Sequence, residues 1–357
     1  MTGDQASDQA RPGGAIAPAV SATPNPVLVR VVIGHETESL HRGAAAIVDR
    51  DGHVLHQWGD IDTPFYPHSS LKLLWTLPLL ESGAAERFDL TPEEIVLAAS
   101  SHMGDRRPVE LVARWLSRCG LDPAALKCGP QRPYSHEAAI ELQADGRPFS
   151  PLHNNNSGKH AGFLTTALHL GEPLATYLRQ DHPVQRRLQA TVEEFTGRND
   201  VCLPHALERC GMPAYRLSLR ALATAMARFS DPAALTPVRR DAIAKLVAAI
   251  GAHSDLLVGP GRLSSMLCAL ARGRIVVKNG IEGSYAGAIM DRRIGLALKI
   301  DDGAQRAADV TLLALLFKLD ELGEHVSLSR RLLPGITTHF REPIGKVVPI
   351  LLTEDAG

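Results

Sequence analysis

The strongest limit on the fold is where strand-like sequence falls: at the two ends of the ordered chain, with helical periodicity between. Val27–Ile33 and Gly43–Val48 are apolar stretches, and the turn Asp49-Arg50-Asp51-Gly52 leads into Val54–Trp58, an antiparallel hairpin signal. Strand chemistry returns only at Arg274–Lys278, Ser284–Met290 and Ile294–Ile300, which are separated by short turns carrying Gly or charge. A hairpin alone is marginal in water, so neither end stands by itself. The economical solution is one mostly antiparallel sheet built from both ends, an α/β (α+β) architecture in which the middle of the chain forms a helical lobe.

That middle begins after Tyr66-Pro67 and runs to about residue 272. Leu73, Leu77 and Leu80 recur at spacings of four and three, the mark of a half-buried helix, and Pro78 predicts a kink or early stop within it. Pro108 suits a first helical turn, Leu111, Val112, Trp115 and Leu116 make a stripe, and Gly120 follows as a stop. Similar patterns cover Gly162–Leu170, Pro183–Phe195, Leu217–Phe229 and Val238–Ile250, and a last amphipathic helix spans roughly Ala307–Leu322. The expected layout is a single domain over 27–335, its sheet drawn from 27–60 and 272–322 and its helical part from 67–271. Residues 336–357 read as a C-terminal extension.

Composition narrows the function. With 38 Lys+Arg against 39 Asp+Glu the chain lacks the basic excess of a nucleic-acid binder, and no apolar run is long enough to span a membrane. The five cysteines, Cys119, Cys128, Cys202, Cys210 and Cys268, are odd in number and contain no C-x-x-C pair, a poor disulfide framework. Residues 1–26 are rich in Ala, Pro, Gly, Ser and Asp, and their one apolar run is short, broken by Pro18 and preceded by Asp4 and Asp8 rather than Lys or Arg. They read as a disordered tail on a cytoplasmic protein, with order beginning near Val27.

Three segments can carry chemistry. Ser69-Ser70-Leu71-Lys72 is an S-x-x-K at a helix start, where Ser69 and Lys72 share a face. Serine is a weak nucleophile without a base, and a lysine among apolar neighbours becomes one as desolvation lowers its pKa. Alone the motif is common, and an N-cap serine beside a surface lysine is the plainer reading of it. The second segment is Lys278-Asn279-Gly280 on a strand; serine acyl-enzymes pair S-x-x-K on a helix with K-T-G on a strand, in this order. Ser100-Ser101-His102 lies between them and offers a third polar wall or an ordinary helix end. The third is the polar run His153–Gly162, which reads as a site loop or as a capped turn with Asn156 or Ser157 at the N-cap.

Together these segments resemble the bacterial L-asparaginase family of the rhizobial type. The likeness covers about residues 27–322. It rests on Pro67–Lys72, Ala98–Asp105, Cys128-Gly129-Pro130, His153–Gly162, Asp181–Gln185, Cys210–Pro213, Gly259–Leu263, Lys278–Gly283 and Lys299–Gly303. The resemblance implies a fold like that of the serine β-lactamases and penicillin-binding proteins, and a homodimer that hydrolyses the side-chain amide of asparagine. It also implies two Ser–Lys pairs, Ser69 with Lys72 and Ser101 with Lys278. His68, His102, Asn156, Lys159, His160, Glu208, Gly280 and Glu282 are then expected to line the substrate site. The family binds zinc through two cysteines and the lysine of N-C-S-G-K-H.

The chain departs from that pattern around the site. Asn156 replaces the first zinc cysteine while Lys159 and Cys210 remain, and an amide is a poor zinc ligand beside a thiolate. The usual arginine before the first serine is His68, D-G-C is Glu208-Arg209-Cys210, G-A-E-G is Gly280-Ile281-Glu282-Gly283, and the usual histidine after Cys-Gly is Gln131. No cofactor is required in this reading, and zinc at Lys159 and Cys210 is doubtful. The function implied is a serine–lysine amidohydrolase acting on asparagine or a related small amide. The alternatives are a changed substrate (a modified asparagine, a lactam, or acyl transfer to an amine) and a non-catalytic binding protein.

Overall fold

A computed structural model describes residues 24–197, 202–322 and 334–352. The tail expected at 1–26 lies almost wholly outside them; Asn25 is described, and it already ties the two ends of the chain together. Its side chain accepts from the Asp60 N–H at 2.7 Å and donates to Asp301 at 2.9 Å.

The first strands are β1 (Val27–Ile33), β2 (Glu36–Asp49) and β3 (Val54–Trp58). The helical part contains α1 (Lys72–Glu81), α2 (Ala84–Arg87), α3 (Pro92–Ala98), α4 (Arg106–Arg118), α5 (His136–Ala144), α6 (Ser157–His169) and α7 (Pro183–Thr196). A two-stranded ribbon, β4 (Cys202–Leu207) and β5 (Pro213–Tyr215), precedes α8 (Leu219–Ser230), α9 (Pro237–His253) and α10 (Leu263–Ala271). The chain returns to the sheet with β6 (Ile275–Asn279), β7 (Ser284–Ile289) and β8 (Ile294–Ile300), then α11 (Gln305–Lys318), β9 (Gly335–Thr337) and β10 (Pro343–Pro349).

The main sheet runs β6-β7-β8-β2-β1-β10-β9, with β3 also paired to β2, and every pairing is antiparallel. The two ends of the chain meet where β2 joins β8, Gly43 opposite Ile300 and Asp49 opposite Ile294. The expectation of one sheet from both ends therefore holds. The boundary at 335 does not: the segment read as an extension supplies β10, which pairs with β1 from Val29 opposite Pro349 to Ile33 opposite Gly345. Its alternation is broken by Pro343, Gly345 and Pro349, and five of its seven residues are at least partly exposed, so it carries little strand signal.

Strands β6 to β8 are buried along nearly their whole length because helices cover both faces, α8 on one and α11 on the other. The α8 contact is very close. A Cβ at Gly295 would lie 2.0 Å from the Ala223 carbonyl oxygen and 2.3 Å from the Ala227 nitrogen, so the alanine-rich helix rests directly on the strand. Gly295→Ala is expected to destabilise the protein by about 1–3 kcal/mol, the usual range for overpacking, read as a fall in Tm.

Pro78 does not stop α1, which continues to Glu81 and closes where the Ser82 N–H reaches the Pro78 and Leu80 carbonyls. Pro108 sits in the first turn of α4, where its missing N–H leaves no bond unmade. No helix among the described residues is long and apolar enough to cross a membrane.

Candidate active site

Ser101 Oγ sits between two buried lysines. Lys72 Nζ lies 3.1 Å from it and Lys278 Nζ 3.0 Å. Each of the three comes from a different part of the chain. Lys72 opens α1, Lys278 is on β6, and Ser101 follows α3, whose start is fixed by a capping box between Thr91 and Glu94. The turn before α10 locks the serine pair: the Ser101 N–H bonds the Leu257 carbonyl at 2.9 Å and Ser100 Oγ donates to the Leu256 carbonyl at 2.6 Å.

The lysines are surrounded by acceptors. Lys72 Nζ also donates to the Ser100 carbonyl and, at 3.4 Å, to the Asn155 carbonyl. Lys278 Nζ donates to the Asn279 carbonyl at 2.9 Å and to Asn279 Oδ1 at 3.1 Å. Burial, joined by the charges of Lys159 and Lys278, holds the Lys72 ammonium well below its ordinary value. Burial alone brings Lys278 down to about 7. Two cations this close disfavour each other, so the pair favours states in which one amine is neutral. Ser101 Oγ accepts from both lysines and so lies between the two amines.

Ser69 occupies a 3-10 turn, His68–Leu71, immediately before α1. It is half-buried and lines a cleft with His68, Gln131, Asn155, Asn156, Glu208 and Cys210. Among the described residues its Oγ has no hydrogen bond, so the geometry joins Lys72 to Ser101 rather than to Ser69, and links both lysines through one serine. Ser70 is turned inward and donates to the Pro67 carbonyl. Gly280 explains how the turn is held: a Cβ there would lie 2.5 Å from the Pro67 carbonyl oxygen and 2.3 Å from Ser284 Oγ. Its place in the site is close backbone packing of β6 against the serine turn. Glu282 stands exposed on the β6–β7 turn with φ +58°, outside the cleft wall.

The substituted positions form a connected wall. His68 adopts φ +50°, a costly backbone for a residue with a Cβ, and its Nδ1 lies 2.9 Å from Glu208 Oε2. Glu208 rides on the turn of the β4–β5 ribbon, closed by its N–H to the Met212 carbonyl at 2.8 Å. Burial raises the Glu208 carboxyl, but the hydrogen bond and charge of His68, with Lys159 and Lys72 behind, hold it below its ordinary value.

His102 and His160 are structural donors and acceptors rather than free bases. His102 Nδ1 accepts from the Gly104 N–H, so its Nε2–H donates to Ser157 Oγ at 2.8 Å. Burial, then the Lys72 and His153 charges, pushes it down to about 3. Tyr177 OH accepts the Lys127 N–H and donates to His160 Nδ1 at 2.6 Å. Burial keeps His160 well below its ordinary value. Neither Tyr177 nor Met212 carries a chemical signal of its own in the sequence.

The donor set beside Cys210 does not fit zinc. Lys159 Nζ donates to Cys210 Sγ at 3.1 Å and to Met212 Sδ at 3.0 Å, and lies 5.1 Å from the Trp75 ring centre, the surroundings of a cation. The Asn156 amide is spent on its own loop, donating to Asn154 Oδ1 and Asn155 Oδ1. Burial, then the charge of Cys210, pushes the nearby Cys128 thiol up to about 12. Among the described residues the one His/Cys/Asp/Glu group with metal-like spacing is Asp49, Asp51 and His53, on the β2–β3 turn.

The family model of L-asparaginase II matches residues 29–349. No curated protein matches the sequence significantly. Among solved structures the chain is similar to a putative β-lactamase from Bacteroides dorei DSM 17855, at 14% identity over 73% of this chain and 87% of that one, TM-score 0.41. It is also similar to a D-alanine carboxypeptidase from Burkholderia cenocepacia, at 16% identity, 76% and 93% coverage and TM-score 0.38. A third likeness is to a probable glutaminase from Bacillus subtilis, at 11% identity, 78% and 84% coverage and TM-score 0.36. One family model accounts for nearly all of the described chain, and the protein belongs to the L-asparaginase II family of amidohydrolases.

Proposed function

We propose that the protein hydrolyses the side-chain amide of L-asparagine, or of a closely related small amide, through an acyl-enzyme on Ser69. The supporting observation is the Lys72–Ser101–Lys278 chain, two depressed lysines bridged by one serine, with Lys72 opening the helix that follows the turn of the cleft serine Ser69. Ser69 attacks the amide carbonyl and Lys72, one helical turn away, takes its proton. Catalytic hydrogen bonds of this kind tighten when substrate binds. The proton passes through Ser101 toward Lys278 or back to the leaving amine, and water releases the acyl group. Ser69 and Lys72 with Ser101 and Lys278 are the catalytic set; His68, Asn156, Gln131 and Glu208 shape the pocket; Lys159 holds Cys210 and Met212. No step uses a metal.

L-asparagine at millimolar concentration is expected to release ammonia at a rate that neither EDTA nor added Zn²⁺ changes by more than about twofold, because the Lys159–Cys210 pair lacks the further donors of a zinc site. A strong zinc requirement contradicts the metal-free reading. Absence of ammonia, with Ser69 still acylated by an activated ester, favours a changed acyl substrate on the same machinery. The replaced wall of His68, Gln131, Asn156 and Glu208 is the feature that such a change would use. A homodimer in the cytoplasm is part of the same proposal.

A further inference from the structure

The K-N-G segment makes a contact that strand geometry does not by itself supply. Consecutive residues of a strand point to opposite faces, so adjacent side chains ordinarily stay apart. Lys278 and Asn279 are consecutive on β6, yet Lys278 Nζ donates to Asn279 Oδ1 at 3.1 Å as well as to the Asn279 carbonyl at 2.9 Å. β6 ends at Asn279, and Gly280 turns the chain toward β7 through its N–H to the Ser284 carbonyl at 2.8 Å. That end position leaves the amide free to fold back over the lysine. Ser264 Oγ, at the start of α10, donates to the same Asn279 Oδ1 at 3.5 Å and is itself buried. One turn along α10, Cys268 Sγ reaches the Val277 carbonyl at 3.8 Å, so the helix packs along this stretch of β6.

With Ser101 Oγ at 3.0 Å, the two Asn279 oxygens give the Lys278 amine three acceptors, as many as an ammonium has N–H groups. Among the described residues no carboxylate bonds it. The ionisable groups around it are Lys72 of α1, across the Ser101 hydroxyl, and Cys268 of α10. The cross-strand partner of Asn279 is Tyr285 of β7, bonded to Asp309 of α11 at 2.7 Å and within reach of the Arg262 charge. His68, on the serine turn, is engaged by Glu208. Asn279 Oδ1 is therefore the one acceptor that can be exchanged without touching the serines, the lysines or the backbone. Resting on the amidohydrolase reading of this site, we propose that Asn279, braced by Ser264, is a positioning residue that holds the Lys278 amine on Ser101 and supports its protonated form. Burial already pushes Lys278 down to about 7. An apolar side chain in place of the amide lowers it further, and a carboxylate raises it.

NMR of the full chain with its lysines isotopically labelled at Cε reads this in the resting protein, the Lys278 resonance being identified by its loss in Lys278→Met. Wild-type Lys278 is expected to titrate at about 7. Asn279→Leu removes the side-chain acceptor and keeps the backbone one, and is expected to titrate at least about one pH unit lower, the scale of a hydrogen bond to a charged group. Asn279→Asp is expected to titrate at least about one unit higher. Opposite shifts separate the brace from damage to the fold, because a loosened site admits water and raises a buried lysine in both variants. Turnover is read on the same samples. Asn279→Leu is expected to lose about 10–10²-fold in kcat at neutral pH with KM within about twofold, the cost of a misplaced catalytic group. An unchanged Lys278 titration in both variants, or a shift of both in one direction, overturns the proposal. Resonances that move as expected while the pH profile of kcat/KM stays fixed support the brace and contradict the part given to Lys278 in the amidohydrolase reading, so the two fail separately.

Discussion

Ser69→Ala is expected to reduce amide turnover by at least about 10³-fold and to abolish acylation by activated esters, because nucleophile removal leaves only binding and oriented dipoles. Folding is expected to survive, since Ser69 is half-buried and its Oγ has no hydrogen bond among the described residues. Ser101→Ala should behave differently. Its hydroxyl is the common neighbour of Lys72 and Lys278, so its loss breaks proton movement but leaves the cleft serine in place. A slowed enzyme that is still acylated on Ser69 is the expected result, read by turnover and intact-mass labelling on the same sample. A Ser69→Ala protein with wild-type turnover, or a Ser101→Ala protein that no longer acylates, reverses the two roles.

Lys278→Met carries the second large effect. Removing a proton-relay amine is expected to cost about 10²–10⁴-fold in turnover at neutral pH. The pH profile moves as well, and its sign is fixed by the structure. Lys72 is depressed first by burial and then by neighbouring positive charges, Lys278 among them. Without that charge Lys72 holds its proton to higher pH, so the acid limb of kcat/KM shifts upward and activity recovers partly in alkaline solution. The same amine affects stability. Lys278 titrates at about 7 when folded and near 10.5 when unfolded, so between those values the unfolded chain binds more protons. Wild-type stability therefore rises with pH across that window, and Lys278→Met is expected to flatten the rise. An unmoved acid limb and an unchanged pH–stability slope together argue against a buried, neutral-leaning Lys278.

What the sequence made legible was local or periodic. S-x-x-K and K-N-G announced themselves because helix and strand geometry put their residues on known faces, and the hairpin and three late strands followed from alternation and turn residues. The union of the two ends followed because neither set of strands is stable alone. Partnership across the chain was harder. Lys72 reaches Ser101 because the turn around Leu256 and Leu257 holds the serine pair, and that contact joins residues more than 150 positions apart. The start of α6 is legible only as an N-cap candidate at Asn156, since its glycines erase the apolar stripe before Gly162. Gly158 is required because a Cβ would lie 2.3 Å from the Leu97 carbonyl oxygen, a packing demand from α3 that no local pattern expresses. β10 escaped notice for the opposite reason, being an edge-side strand whose prolines and glycine erase alternation. The departures at His68, Gln131, Asn156 and Glu208 were visible as substitutions. Their combination into one wall required the ribbon turn to come down beside the serine turn.

One measurement bears most directly on the catalytic assignment: peptide mapping of the wild-type protein after brief reaction with 4-nitrophenyl acetate at neutral pH, run with and without excess L-asparagine. A single acetyl group on Ser69, suppressed by L-asparagine, is the expected result. An acetyl group on Ser101, on Lys159 or on Cys210 with Ser69 unmodified, or labelling that L-asparagine leaves untouched, contradicts it.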